Sequence, residues 1–373
     1  MAAQPRATIR DRKNLKATHP SRGNLLGFDR KELEQLAITS GRPAYRGRQL
    51  YSAIYERRAR CFDGLTELDR GSRDWLSANC TIEYPAVQNR FVSRDESARY
   101  LLKLGDGETI EAVFMPEEKR TTLCLSSQVG CAVDCRFCFT GLLGVRRNLE
   151  AGEIIGQVLA RTSDRGLTPE SRLNVVFMGM GEPLLNLGPV MKAVRIMSDP
   201  KGLGISLKRI TLSTSGIIPR IHDLGREPIR PKLAVSLNAS TEEQRTALMP
   251  LNRKYPLGKL LEACRNYPLR PWEKLTFEYV LLDGINDSDL DAARVAELVR
   301  GIRAKLNLIP YNSGPELPYR ASPLERVLAF QEVLARRRVP SFIRISRGQD
   351  VNAACGQLKL EGGAAGASVQ AAP

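Results

Sequence analysis

The chain has 373 residues, 42% hydrophobic and 26% charged, enough to bury one sizeable core and carry a small accessory domain beside it. No run approaches the roughly 18 consecutive apolar residues of a membrane helix, and the first residues lack the apolar segment of a secretory signal, so a cytoplasmic protein is expected. A net charge of +15 favours a polyanionic partner, because Lys and Arg displace counterions condensed on phosphates.

The positive excess gathers at the front, where residues 1–60 hold fourteen Lys or Arg against five Asp or Glu. Residues 1–23 read as a basic disordered arm. Over 24–85 the pattern is helical. Asp29 is placed to cap a helix carrying Leu33, Leu36 and Ala37, and Leu50, Tyr51, Ile54 and Tyr55 continue the spacing. Arg42, Arg46, Arg48, Arg57, Arg58 and Arg60 interleave with Tyr45, Tyr51 and Tyr55. That mixture suits an RNA-facing module, with guanidinium groups on phosphates and rings on bases. It equally suits a solvated face over core tyrosines. Residues 86–120 alternate as strands, with Gly105, Asp106 and Gly107 turning a hairpin, and predict an antiparallel β linker.

From 121 to 357 short apolar runs alternate with helical patterns. Strands are expected at 122–126, 174–178, 209–213, 232–237, 275–281, 305–309 and 341–346. Helices are expected at 153–162, 288–302 and 323–338, the last with Leu324, Val327, Leu328 and Leu334 as its apolar stripe. A βα series of this kind gives an α/β barrel or an open doubly wound sheet, with chemistry at the C-terminal ends of the strands. Residues 358–373, rich in Gly and Ala, read as a disordered tail.

Eight cysteines without a secretory signal point to a reducing compartment. Cys61, Cys80 and Cys264 stand alone and read as small buried hydrophobes. Cys131-Ala-Val-Asp-Cys135-Arg-Phe-Cys138 is different, because three thiols on one loop are one too few for a closed metal site. A zinc site would need a fourth ligand, and His19 and His222 both lie far away. With Phe137 before the last cysteine, the loop resembles that of the radical S-adenosylmethionine (SAM) superfamily. This resemblance implies a [4Fe–4S] cluster with SAM at the open iron. Downstream, Gly179-Met-Gly181-Glu182-Pro183 offers close backbone approach and a carboxylate for an ammonium group. Ser213, Ser236, Asn238 and Asn312 sit where later strands end, as ligands or helix caps.

These stretches together with Thr-Leu-Cys124-Leu-Ser-Ser-Gln-Val-Gly, Arg147-Asn-Leu-Glu-Ala-Gly-Glu153, Thr276-Phe-Glu-Tyr and Ser346-Arg-Gly-Gln-Asp350-Val-Asn-Ala-Ala-Cys355 resemble the RlmN/Cfr family of rRNA adenine methyltransferases over about residues 25–360. The resemblance implies a partial (β/α)6 barrel with an N-terminal helical RNA-binding domain and the β linker. It implies Cys355 as methyl carrier, Cys124 as the thiol that resolves the adduct through a disulfide, and Glu111 as proton acceptor. By alternation alone, Glu111 would be a solvent-facing strand carboxylate. It further implies SAM contacts at Gly181, Glu182, Ser213, Ser236, Leu237, Asn238 and Asn312, with two SAM per turnover. The expected reaction is methylation at C2 of an adenosine in the peptidyl-transferase region of 23S rRNA, with a tRNA adenosine beside the anticodon as second candidate. Alternatives are C8 methylation of the same base, or a non-enzymatic zinc and RNA-binding protein. A flavodoxin or ferredoxin is the expected electron donor, and the chain is expected to act as a monomer.

Overall fold

Asp29 forms a full capping box, accepting from the Glu32 amide at 3.0 Å while its own amide donates to Glu32 Oε2 at 2.7 Å. This starts α1 (Arg30–Thr39), which pairs with α2 (Ala44–Tyr55) and is followed by α3 (Arg70–Asn79). A two-residue strand β1 (Gly23–Asn24) runs parallel to β2 (Cys80–Thr81) and closes this module. The computed structural model describes residues 23–164, 172–314 and 317–358. The arm expected over 1–23 and the tail over 358–373 lie outside those residues except at Gly23 and Leu358.

Strands β3 (Ala86–Val92), β4 (Ala98–Lys103) and β5 (Thr109–Glu117) are antiparallel, and β5 pairs with β6 (Arg120–Cys124). A short ribbon, β7 (Gln128–Gly130) with β8 (Val145–Asn148), stands outside this sheet. Next come β9 (Leu173–Phe177), β10 (Ile210–Thr214), β11 (Lys232–Ser236), β12 (Leu275–Leu281), β13 (Ala304–Pro310) and β14 (Ser341–Ile343). β6 and β9–β14 are parallel and adjacent in chain order, each reached by a crossover. The result is an open, partial α/β barrel with seven parallel strands among the described residues, one more than the resemblance implied. The antiparallel strands are continuous with it in one ten-stranded sheet.

Register decides what each face carries, because side chains alternate with period two. On one face Leu123, Val175, Phe177, Leu212, Leu233, Val235, Phe277, Leu306 and Leu308 are fully buried. Each such side chain contributes about 1.5–3 kcal/mol. The paired positions Glu111, Val113, Cys124, Val176 and Thr211 run across the other face. Ser213, Ser236, Glu278 and Asn307 continue it. Polar residues collected there make it the working surface.

Two expectations need correction, and one reading left open is decided. In the helix Leu324–Arg336 the core stripe is Val327, Phe330 and Leu334, while Leu324 and Leu328 face solvent, so the stripe lies about one position away from the one read by spacing. Tyr51 and Tyr55 are core residues stacked edge-on, with only Tyr45 of the three tyrosines exposed. Cys61 is exposed, whereas Cys80 and Cys264 are buried. Among the described residues no helix is long and apolar enough to cross a membrane.

Candidate active site

The three-cysteine loop hangs between β7 and β8. At Gly130, φ is +77° and an added Cβ would meet the Gly144 carbonyl oxygen at 1.9 Å, so only glycine lets the ribbon close. The Cys131 amide then donates to Gly144 O at 2.9 Å, and the Arg136 amide to Leu248 O at 2.9 Å. Phe137 is buried against Leu248, Met249, Leu282 and Tyr311, with Cys135 and Cys138 on the edge of that cluster. The aromatic before the last cysteine is therefore the anchor that aims its neighbours.

Burial, and then the Cys138 and Glu182 charges, push the Cys131 thiol up to about 12. Burial likewise raises Cys135 and Cys138, and loading a metal centre must release their protons. Among the described residues no three His, Cys, Asp or Glu side chains converge on a single ion. The three-thiol donor set, one ligand short of a closed site, fits a [4Fe–4S] group with one open position.

Beyond β9 the chain turns through Gly181 at φ +97°, where a Cβ would lie 2.7 Å from the Gln128 amide. Glu182 is buried and its carboxylate already accepts from the Ser215 amide and hydroxyl, both at 2.7 Å, and from the Leu184 amide at 3.0 Å. Burial raises its pKa against those bonds. Ser213 and Ser236 are half-buried on the polar face. Leu237 is fully buried, and its amide donates to Glu278 O. Asn238 sits in the left-handed region at φ +56°. Its Oδ1 accepts from the Val280 amide at 2.9 Å, so its side chain braces β12. Asn312 Nδ2 donates to Cys355 O at 3.1 Å, and its Oδ1 accepts from Gln349 Nε2 at 2.8 Å.

Cys124 ends β6, buried, in register with Val113 and Val176. Glu111 is fully buried and paired with Arg99, contrary to the exposed position that alternation suggests. Arg99 also donates from Nε to Val351 O at 2.7 Å, four residues before Cys355. Ser93 Oγ donates to Asp350 at 2.5 Å, and the Gly348 amide to Asp95 at 3.1 Å. The β3–β4 turn thus clasps the segment that carries Cys355. On its other side the Phe139 amide donates to Gly356 O at 2.9 Å, just past the cluster loop. Cys355 is exposed, yet desolvation by the groups packed around its sulfur, and then the Glu278 carboxylate, push its thiol up to about 11. All eight cysteines are outside any disulfide.

Three residues escaped the reading of the sequence. Ser215 holds Glu182, Arg99 holds Glu111, and Arg245, fully buried, donates to the carbonyls of Ser215, Ser236 and Leu237 and to Asn252 Oδ1. Burial lowers Arg245 to about 10, while the nearby Cys135 favours its charge. A single Arg inside a polar helix gives no signal in sequence.

Residues 125–296 match the Radical SAM superfamily, and residues 23–82 match the ribosomal RNA large subunit methyltransferase N-terminal domain. The chain is 50% identical over 336 residues to a probable dual-specificity RNA methyltransferase RlmN of Koribacter versatilis, covering 86% of this chain and 96% of that protein. It is 47% identical over 349 residues to the dual-specificity RNA methyltransferase RlmN of an Anaeromyxobacter species, covering 92% of each. The crystal structure of a radical SAM methyltransferase from Sphaerobacter thermophilus, 42% identical, superposes with a TM-score of 0.85 over 91% of this chain and 100% of that one.

Proposed function

Because the chain belongs to the RlmN family of dual-specificity RNA methyltransferases, we propose that it methylates C2 of an adenosine in large-subunit rRNA, with a tRNA adenosine as second substrate. It is a radical SAM enzyme working with a [4Fe–4S] cluster and SAM, which removes the non-enzymatic zinc alternative. C8 methylation is not favoured, since the relatives carry the RlmN name over nearly their whole length.

Cys131, Cys135 and Cys138 hold the cluster, and Gly181, Glu182, Ser213, Ser236, Leu237, Asn238 and Asn312 form the SAM site around it. Glu182, Asn238 and Asn312 act there largely as braces, given their bonds within the protein. When bound, the cluster delivers one electron to SAM and so supplies a 5′-deoxyadenosyl radical. The Cys355 thiolate first takes a methyl group from one SAM, leaving S-adenosylhomocysteine. Hydrogen abstraction from that methyl by the radical of a second SAM leaves a carbon radical on the Cys355 sulfur, which adds to C2. The adduct returns one electron to the oxidised cluster, where that group is bound, and gives the ring proton to Glu111. Cys124 then attacks the Cys355 sulfur, forming a disulfide, and the methylene carbon leaves with the electron pair of the broken C–S bond and takes a proton from solvent, which releases the methylated base. An external reductant of the flavodoxin or ferredoxin class supplies electrons.

What carries this reading is that Glu111 and Cys124 lie on one face of the sheet while Arg99 joins Glu111 to the backbone just before Cys355. The test is turnover of reconstituted protein with methyl-deuterated SAM and an rRNA transcript, read by nucleoside mass spectrometry. The expected product is 2-methyladenosine with one solvent hydrogen in its methyl group. Fully deuterated methyl would remove the carrier, and 8-methyladenosine would remove the C2 assignment.

A further inference from the structure

The arginines of the N-terminal module are largely engaged at home. Arg42 donates to Ser72, Ser40 O and Gly71 O. Arg46 pairs with Asp69, Arg48 with Glu34 and Arg57 with Glu67. The opposite holds at the N-terminal ends of the parallel strands, the edge of the sheet remote from Cys124 and Glu182. Lys208 precedes β10, Lys232 opens β11, Lys274 precedes β12, and Arg303 and Lys305 stand at the start of β13. Among the described residues none of these five has an ion pair, although Arg303 donates to the carbonyls of Leu269, Arg270 and Pro271 and so shapes the loop before β12. Of the acids nearby, Glu117 is matched by Arg120, Glu273 by Arg230 and Arg270, and Glu297 by Arg300 and Arg337, while the buried Glu278 feels the Lys305 charge from beyond ion-pair distance.

Two aromatic rings stand in this cationic strip. Trp272 is 45% exposed with Lys208 and Arg270 5.3 and 5.5 Å from its ring, and Phe342 on the edge strand β14 is 53% exposed with Lys305 at 5.6 Å. Register places Lys232 and Lys305 on the polar face of the sheet, on the same side as Phe342. Burial, and then the like charge of Lys305, hold the Lys232 ammonium below its ordinary pKa, a repulsion that an anion between them relieves.

We infer that this strip, from Phe342 through Lys305 and Lys232 to Trp272, is a second contact surface for RNA. Phosphates sit on its unpaired cations and unstacked bases lie on its two rings. Unpaired cations interleaved with exposed rings are what a single-stranded polyanion with flat bases requires. An acidic electron-transfer protein matches the charge, but the strip lies a full strand length of about 20 Å from the end of the sheet where the cluster loop sits, which argues against it. The inference extends the RNA methyltransferase reading, and it places part of a large substrate on the far side of the barrel from its reacting base.

The test is binding of the full chain, wild type and variants, to an rRNA transcript by fluorescence anisotropy over a range of salt concentrations. Trp272→Ala should weaken binding about fivefold or more. Lys208→Gln with Lys305→Gln should weaken it at every sequence and lower the slope of log affinity against log salt by roughly one per lost phosphate contact. SAM cleavage without RNA, and Cys355 methylation, should stay at wild-type levels in both variants, which also certifies their fold. Unchanged affinity and slope would overturn the inference. So would unchanged RNA binding with slower reduction by flavodoxin, which would assign the strip to the reductant. Binding lost in the variants of a protein whose wild type makes no methyladenosine would keep the strip and reject the proposed reaction instead.

Discussion

The three-cysteine loop and the Cys355 segment bring their cysteines near one another by opposite means. Cys131, Cys135 and Cys138 fall within eight residues, closed by the β7–β8 ribbon and anchored locally by Phe137. The segment from Gly348 to Cys355 has a single 3-10 turn of its own, Gln349–Val351. Its tethers to Ser93, Asp95, Arg99 and Asn312 all come from far along the chain. In the proposed reaction the loop has one task, to hold its ligand in a fixed geometry. There the Cys355 sulfur would have three partners in turn, SAM, RNA and Cys124, and a segment held by a few distant bonds can open at lower free energy than one inside a ribbon.

The strongest way to break this comparison is at the thiols. Cys135→Ala should abolish both cluster loading and deoxyadenosine formation, measured by iron and sulfide content and by chromatography. Retained SAM cleavage would remove the loop from the cluster. Cys355→Ala should load iron and sulfide as wild type does while methyladenosine falls below detection. Normal product from that variant would leave the segment without its carrier role. The two substitutions therefore separate a defect of the loop from a defect of the segment.

How well each region could be read follows from the same contrast. The seven parallel strands and the cluster loop were legible because their signals are local, apolar runs of strand length in one case and three thiols at fixed spacing in the other. Spacing also placed Asp29 as a helix cap, though not its reciprocal bond with Glu32. Tyr51 and Tyr55 could not be sorted from surface tyrosines until Asp199 and Phe28 were seen to accept their hydroxyls from elsewhere in the chain. Glu111 is the clearest failure of alternation. Its strand is covered on both faces, and the partner Arg99, twelve residues away on β4, helps make its burial tolerable. The role of Cys355 came from resemblance alone, because nothing within its own segment marks it.

Arg99 offers a sharper cut, since it joins the two halves of the proposed chemistry. Arg99→Met leaves Glu111 buried without its counterion and frees Val351 O. Removing one partner of a buried pair costs about 3–5 kcal/mol of stability. Methyladenosine release should fall more than tenfold while deoxyadenosine formation persists. Arg99→Lys, which keeps the charge, should restore much of the stability and part of the release. A double substitution with Glu111→Gln should cost little more than either alone, because both act on one interaction. Additive losses would make Arg99 an independent structural residue.

The smallest effect concerns acid, and it acts on the clasp alone. Asp95 is partly buried, which opposes ionisation. Bonds from Ser97, Ser93 and Gly348 outweigh that and hold its carboxyl well below the usual range. The Ser93 hydroxyl lowers Asp350 in the same way. A carboxylate depressed in the folded state contributes stability that is fully present above its unfolded pKa of about 3.9 and is lost as pH falls toward its folded value. The loop's own raised thiols stay neutral throughout that range in the metal-free chain and add no such dependence, and the depressed carboxylate facing its ribbon, Asp106 beside Arg147, is a largely exposed pair that contributes little. Hydrogen exchange on metal-free protein, corrected for intrinsic rates, should therefore show equal protection of both regions from pH 7 to 5. Below about pH 4, residues 348–355 should lose protection before residues 128–148. Loss in the reverse order would mean that the clasp carboxylates do not hold the carrier segment, and that its position is set from the Asn312 and Phe139 side.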